Sequence, residues 1–273
     1  MFIGVSARVD TADDLMCRKM LGGLDMNLDR VIAVRNSKIV YRDGDRCIKT
    51  FDTDYSKADV LSEALNQVLA EESGLSIPKI FEVTAIDGKL AVISEYIKGK
   101  PLSRLMEENP NKKEEYMNFF VDIHCDIHSK ICPLLNRLKD KMKSRISEAE
   151  LDADSRRELY TRLENTPDCN NLCHGDFNPS NIIVSECGIP YILDWSRAAR
   201  GSVAVDAAVT YLLFRLDGDM DGAEQYLEMF CKKSDTERED LLSLTTLAAA
   251  ALSTEKHGKA REFLLSHAIN ADF

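Results

Sequence analysis

His174-Gly175-Asp176-Phe177-Asn178-Pro179-Ser180-Asn181, followed beyond the apolar run Ile182-Ile183-Val184 by Ile192-Leu193-Asp194-Trp195, sets an Asp, an Asn and a second Asp on two loops. Moving a phosphoryl group from a nucleotide asks little covalent chemistry of a protein. It needs an acceptor hydroxyl held in line and divalent cations clamped on the phosphates. A carboxylate that accepts the hydroxyl hydrogen bond, with an amide oxygen and a second carboxylate as hard ligands for Mg²⁺, is a minimal set for that task. Gly, Asp, Asn and Pro are also ordinary turn formers, so the first stretch alone is compatible with a plain loop. A turn does not explain the second Asp.

Asp176 and Asn181 keep the spacing of the protein-kinase catalytic loop, in which a metal-binding Asp follows downstream. The pattern His-Gly-Asp-x-x-x-x-Asn followed by Leu-Asp-Trp resembles the aminoglycoside phosphotransferase and choline kinase superfamily, small-molecule kinases with a kinase-like fold. The resemblance implies an α+β, bilobal, protein-kinase-like fold, with a small lobe of antiparallel sheet plus one helix and a mostly helical large lobe. It further implies that Asp176 is the catalytic base, that Asn181 and Asp194 hold Mg²⁺, that His174 and Gly175 shape the loop, and that ATP or GTP binds between the lobes.

Upstream, Val31-Ile32-Ala33-Val34, Lys38-Ile39-Val40-Tyr41 and Arg46-Cys47-Ile48-Lys49-Thr50-Phe51 are short β-branched runs, with Asp43-Gly44-Asp45 as a hairpin-grade turn. Three antiparallel strands are expected. Lys49 lies in the third, where the kinase lysine that contacts the inner phosphates and pairs with a helix glutamate resides. Ser56 and Asp59 open a helix with a capping-box-like start. Its expected apolar face is Leu61, Leu65, Val68 and Leu69, and Glu63 is the expected partner of Lys49. A second hairpin is expected around Asp87-Gly88. Glu95 and Ile97, at the exit of its second strand, occupy the place of the resembled family's adenine-contacting hinge, and Asn36 and Ser37 that of the loop above the phosphates. That loop has no GxGxxG or Walker signature.

Beyond Pro101 the chain reads as helical. Leu102 to Glu108 is short; Tyr116, Phe119, Phe120, Ile123 and Ile127 mark a stripe expected to pack beneath the catalytic loop. Lys139 to Arg145, Glu148 to Leu163, Ala207 to Leu216, Gln225 to Phe230 and Leu241 to Leu265 are further helical stretches. His124 and His128 have the spacing of helical zinc ligands, but lack the H-E-x-x-H glutamate and read as structural or solvent-facing. Asp206 is either a helix N-cap or a buttress of the catalytic loop. Asp217, Asp219 and Asp221 form either a solvated turn or an acidic surface for a cationic acceptor. The expected organisation is an N-terminal extension over 1–28, with a short helix over 16–28, a nucleotide-binding lobe over 29–97, and a catalytic and acceptor-binding lobe over 98–273.

The chain of 273 residues is 44% hydrophobic, enough for a substantial core. Its eight cysteines form no CxxC pair, so free thiols in a reducing cytosol are expected. The N-terminus lacks the basic flank and apolar length of a signal peptide, and Leu241 to Leu252 is broken by Ser243, Thr245 and Thr246, so no membrane association is expected and the localisation reads as cytoplasmic. A net charge of −11 disfavours nonspecific nucleic-acid binding and is compatible with a small, hydroxylated, cationic acceptor. The expected activity is thus Mg²⁺-dependent transfer of the γ-phosphoryl group of ATP or GTP to a small-molecule hydroxyl. Choline, homoserine or a sugar rival an aminoglycoside as acceptor, and a nucleotide-binding regulatory module with little turnover is the rival of another class. A protein-serine kinase is disfavoured, because no Ala-Pro-Glu closes an activation segment after Asp194.

Overall fold

The computed structural model describes residue 28, residues 30–35 and residues 38–270. Asn36, Ser37 and, apart from Leu28, the helix expected over 16–28 lie outside the described residues.

The N-terminal part is a five-stranded antiparallel sheet in the order β1-β2-β3-β5-β4, built from β1 (Val31–Arg35), β2 (Lys38–Asp43), β3 (Arg46–Phe51), β4 (Ile80–Ile86) and β5 (Lys89–Glu95). Local chemistry sets its turns. Asp87 and Gly88 adopt φ of 50° and 79°, the paired left-handed geometry that matches the twist of a tight hairpin and that Asp-Gly tolerates. Alternation then sorts the faces. Phe51 and Val92 pack on one side with Val60 and Ala64 of α1 (Lys57–Glu71). Ile48, Ala91 and Ile93 pack on the other.

Helix α1 starts where expected, with the Ser56 hydroxyl accepting from the Asp59 N–H at 3.1 Å. Its inward face does not. Leu61 and Leu65 are 46% and 57% exposed, while Val60, Glu63, Ala64, Asn66 and Ala70 are buried. Of the expected apolar face only Leu61 and Leu65 point outward, while Val68 is half-buried and Leu69 packs on the main core; the inward face carries polar duties: Glu63 meets lysines of the sheet and Asn66 Nδ2 donates to the Ser196 carbonyl, 3.3 Å away.

After β6 (Gly99–Pro101) the chain becomes mainly helical: α2 (Leu102–Glu108), α3 (Lys113–Ser129), α4 (Leu138–Glu148), α5 (Ala153–Asn165), α6 (Val203–Leu216), α7 (Met220–Ser234), α8 (Arg238–Ser253) and α9 (Gly258–Ile269). Several expected boundaries shift. Asp152 caps α5, accepting from Asp154 N and Ser155 N, so the Glu148 to Leu163 stretch breaks at a new N-terminus. The Leu241 to Leu265 stretch is two helices parted at residues 254–257. On α3 the buried stripe is Met117, Phe120, Val121, Ile123, His124, Ile127 and His128; Tyr116 and Phe119 are only partly covered.

The remaining strands frame the motif. Strand β7 (Leu172–Cys173) pairs with β10 (Ala199–Arg200), and β6 pairs with β8 (Ile182–Ser185), which turns into β9 (Pro190–Ile192). Gly99 permits the second pairing: a Cβ there would lie 2.2 Å from the Val184 carbonyl oxygen. The described cysteines are free thiols. Among the described residues no helix is long and apolar enough to cross a membrane.

Candidate active site

The loop between β7 and β8 is pinned by its own apolar residue. Phe177 is fully buried and stacks on Phe120 of α3 at 4.4 Å between ring centroids, while Thr210 Oγ1 of α6 donates to the Phe177 carbonyl at 3.1 Å. Burying such a ring is worth about 2–3 kcal/mol. The adjacent Asp176 is left partly exposed. Gly175 adopts φ 78°, and a Cβ on it would lie 2.8 Å from Arg197 Cβ, so the loop passes Arg197 where only glycine fits.

A buried carboxylate holds the start of this loop. Asp206 Oδ2 accepts from the His174 N–H at 2.8 Å and Oδ1 from the Gly175 N–H at 2.7 Å. It lies inside α6, which begins at Val203, so the buttress reading holds and the N-cap reading does not. His124 Nε2 and His128 Nε2 donate to the same Oδ2 at 3.2 and 3.0 Å, and the Tyr226 hydroxyl donates to His124 Nδ1 at 2.9 Å. Both histidines are therefore structural and buried, not solvent-facing. The three side chains lie within metal-ligand reach of one another, but hydrogen bonding accounts for the two Nε2 groups and both Asp206 oxygens without an ion. Burial works against the Asp206 charge, yet the two histidine hydrogen bonds hold its carboxyl well below the usual range. Burial and the neighbouring His128 push His124 down to about 3.

These shifts carry a stability prediction. An unfolded chain protonates His124 near 6.5, the folded one near 3, so between these values the unfolded state binds more protons and acidification destabilises the fold. The Asp206 loss begins only below its unfolded value of 3.8. The urea midpoint is expected to fall as pH drops from 7 to 5, by up to about 1.4 kcal/mol of stability per unit for one such group. His124→Gln should flatten that slope; an unchanged slope would contradict the assignment.

The second loop stacks onto the first. His174 Nε2 donates to the Leu193 carbonyl at 3.0 Å and its Nδ1 accepts from the Asp176 N–H at 3.2 Å, while Leu193 N–H donates to the Asn181 carbonyl at 2.8 Å. Asn181 Nδ2 donates to the Asp176 carbonyl at 2.9 Å and lies 3.5 Å from its Oδ2. Asp194 adopts a left-handed conformation, φ 62° and ψ 66°, which costs a non-glycine residue energy and which Asp tolerates better than most. The next residue anchors it: Trp195 is fully buried and donates from Nε1 to the Ile192 carbonyl at 3.1 Å.

Lys49 reaches this centre from the sheet. Its Nζ donates to Glu63 Oε1 at 2.7 Å and lies 3.9 Å from Asp194 Oδ1. Burial opposes the ammonium charge, but Asp194 and Glu63 outweigh it and push its pKa up to about 12. Burial likewise opposes ionisation of Asp194, and Lys49 and Lys38 overcome it, holding that carboxyl well below its ordinary value. Lys38, which the sequence reading missed, donates to Glu63 Oε2 at 2.8 Å. The β2–β3 register, Lys38 opposite Phe51 and Val40 opposite Lys49, puts both lysines on one face. Counting back from the hairpin at Gly44 would have found it.

Asp176, Asn181, Asp194, Lys49 and Glu63 thus converge. Glu95 and Ile97 lie at the exit of β5, where Glu95 N–H is used within the sheet, donating to the Lys79 carbonyl at 2.8 Å. Downstream, Asp219 caps α7, accepting from Gly222 N–H at 2.9 Å, and pairs with Lys113 at 3.0 Å. Burial raises the carboxyl of the neighbouring Asp217, Lys256 lowers it, and the charges of Asp176 and Asp219 raise it further.

The sequence profile of the Phosphotransferase enzyme family matches residues 32–242, spanning the sheet, α1 and both loops. The chain belongs to that family. The fold of this phosphotransferase is protein-kinase-like and shared by solved small-molecule kinases. Choline kinase LicA from Streptococcus pneumoniae superposes with a TM-score of 0.64 at 16% identity, over 96% of this chain and 99% of that one. A thermostable mutant of aminoglycoside phosphotransferase APH(4)-Ia, in ternary complex with ADP and hygromycin B, gives 0.67 at 13% identity over 94% and 96%. A choline/ethanolamine kinase family protein from Mesorhizobium loti gives 0.61 at 15% identity over 93% and 92%. No curated protein sequence matches the chain.

Proposed function

We propose that this phosphotransferase moves the γ-phosphoryl group of ATP or GTP to a hydroxyl of a small amino alcohol, with Mg²⁺ held by Asn181 and Asp194. The observation that carries the reading is the junction of the Lys49–Glu63 pair with the two loops, where Lys49 Nζ stands 3.9 Å from Asp194 and Asn181 leans on Asp176. The donor set suits the metal. Asp194 is ionised, and the Asn181 amide nitrogen is committed to the Asp176 carbonyl, which turns the amide oxygen the other way. Hard oxygen donors with few protein ligands are what Mg²⁺ takes when phosphates complete its shell. When bound, the ion supplies charge neutralisation on the phosphates.

The chain's own groups supply the rest. Lys49, kept cationic by its two carboxylates, neutralises inner phosphate oxygens. Asp176 accepts a hydrogen bond from the acceptor hydroxyl and orients it for in-line attack, so positioning and charge compensation provide most of the rate. Burial raises the Asp217 carboxyl most, Lys256 lowers it, and the charges of Asp176 and Asp219 raise it further, a gathering of carboxylates beside which a cationic acceptor is favoured over an anionic one. We also place the nucleotide-binding lobe at 29–97 and the acceptor-binding lobe at 98–273.

The test is incubation of the full chain with Mg²⁺-ATP or Mg²⁺-GTP and a panel of aminoglycosides, choline, ethanolamine, homoserine and neutral sugars, read by mass spectrometry. A phosphorylated amino alcohol, formed only with Mg²⁺, is expected. Phosphorylation of a neutral sugar alone would overturn the cationic-acceptor reading, and absence of nucleotide binding would overturn the kinase reading.

A further inference from the structure

Arg197 is held at Asp176 from three directions. Its carbonyl accepts from Lys141 Nζ of α4 at 3.4 Å, and that lysine also donates to the Ala198 carbonyl at 2.7 Å. Its Cβ lies against the backbone of Gly175, where a methyl group would collide. Its guanidinium forms an ion pair with Glu255, in the turn between α8 and α9, and Glu255 in turn pairs with Arg145, one helical turn from Lys141 on α4. The other guanidinium nitrogen, Nη1, is buried, makes no hydrogen bond among the described residues, and stands 3.5 Å from Asp176 Oδ1.

We propose that Glu255, steadied by Arg145, is a positioning residue that acts through Arg197 to fix the carboxylate of Asp176; the inference rests on the reading of Asp176 as the base. Two guanidiniums, those of Arg145 and Arg197, pair with the one carboxylate of Glu255, so this anion stands between two like charges that would otherwise repel one another. A long arginine side chain also loses rotamer freedom when fixed in one geometry. With the Glu255 charge removed, repulsion from Arg145 and recovered rotamer freedom both draw Arg197 away from Asp176. The carboxylate then loses its cationic neighbour at 3.5 Å and its set direction. The Lys49–Glu63–Asp194 centre shares no residue with this network, so nucleotide affinity is expected to change far less than turnover.

The test compares full-length wild type, Glu255→Gln, Arg197→Ala, Arg197→Lys, the double variant Arg197→Ala/Glu255→Gln, and Asp176→Ala. ADP release from Mg²⁺-ATP, or GDP release from Mg²⁺-GTP, is followed, with water or the phosphorylated panel member as acceptor, alongside the dissociation constant of a fluorescent ATP analogue and the melting temperature. Glu255→Gln is expected to lower kcat by about ten- to a hundredfold while nucleotide affinity stays within about twofold. Arg197→Lys should recover part of the Arg197→Ala loss, and the double variant should be no slower than Arg197→Ala alone. Losses that multiply in the double variant, or a Glu255→Gln protein with a lowered melting temperature and wild-type kcat, would overturn the proposal. If Asp176→Ala keeps wild-type turnover, or wild type releases neither ADP from Mg²⁺-ATP nor GDP from Mg²⁺-GTP, the reading of the base itself fails and the inference goes with it. If Asp176→Ala is inactive and Glu255→Gln is not impaired, only the inference fails.

Discussion

Asp176→Ala is expected to lower phosphoryl transfer by about two to four orders of magnitude, the usual contribution of a positioned proton acceptor. Its effect on Mg²⁺-nucleotide affinity should stay within about threefold. The separation follows from position. The side chain of Asp176 is partly exposed and touches Asn181 and Arg197, whereas Lys49, Glu63 and Asp194, the groups proposed for the phosphate side, form ion pairs with one another and, among the described residues, none with it. The loop keeps its path without the carboxylate, because Phe177 is buried against Phe120 and Asp206 grips the two preceding N–H groups. Asp176→Asn is the sharper probe, since it preserves shape and a hydrogen-bonding oxygen while removing the charge. Both variants should be measured for kcat with the identified acceptor and for nucleotide binding by fluorescence. Wild-type kcat in either would remove Asp176 from its assigned role.

Asp194→Ala should fail differently. Transfer is expected to drop by at least about a hundredfold, since a lost preorganised charge at the phosphates typically costs that much. Here nucleotide affinity falls with it. The diagnostic is the difference between Mg²⁺-ATP and metal-free ATP. Wild type should bind the Mg²⁺ complex more tightly, and the variant should bind both alike, because Lys49 stays paired with Glu63 at 2.7 Å and still meets the phosphates. Titration calorimetry with and without Mg²⁺ reads this directly. A variant that keeps the full Mg²⁺ preference would place the metal on other ligands.

The parts of this molecule that were legible in the sequence are those encoded over short distances. The hairpin at Asp87-Gly88, the Ser56 cap and the placement of Asp176 and Asn181 on one loop depend on neighbours within a few residues. Lys49 and Glu63 are only 14 residues apart, and strand-then-helix order was enough to pair them. What failed or stayed ambiguous depends on distant chain. The apolar periodicity of α1 identified a real stripe, Leu61 and Leu65, but its inward face is chosen by Lys38, Lys49 and the Ser196 carbonyl, which local hydrophobicity does not report. Asp206 supports a loop 32 residues earlier, and its histidine partners lie 78 and 82 residues away. No spacing rule distinguishes such a triad from a helix cap and two surface histidines. The Arg197–Glu255–Arg145 network is of the same kind: Glu255 falls within Leu241 to Leu265, a stretch that reads only as helical, and the break that aims it at Arg197 is tertiary.

The most direct test of the central claim is a crystal structure of the full chain with Mn²⁺ and a non-hydrolysable ATP analogue, with the metal located by its anomalous signal. The account predicts a peak bound by side-chain oxygens of Asn181 and Asp194, with Lys49 on the inner phosphates and Asp176 facing the γ-phosphate. A peak at His124 and His128, or a triphosphate bound away from Asp194, would contradict it.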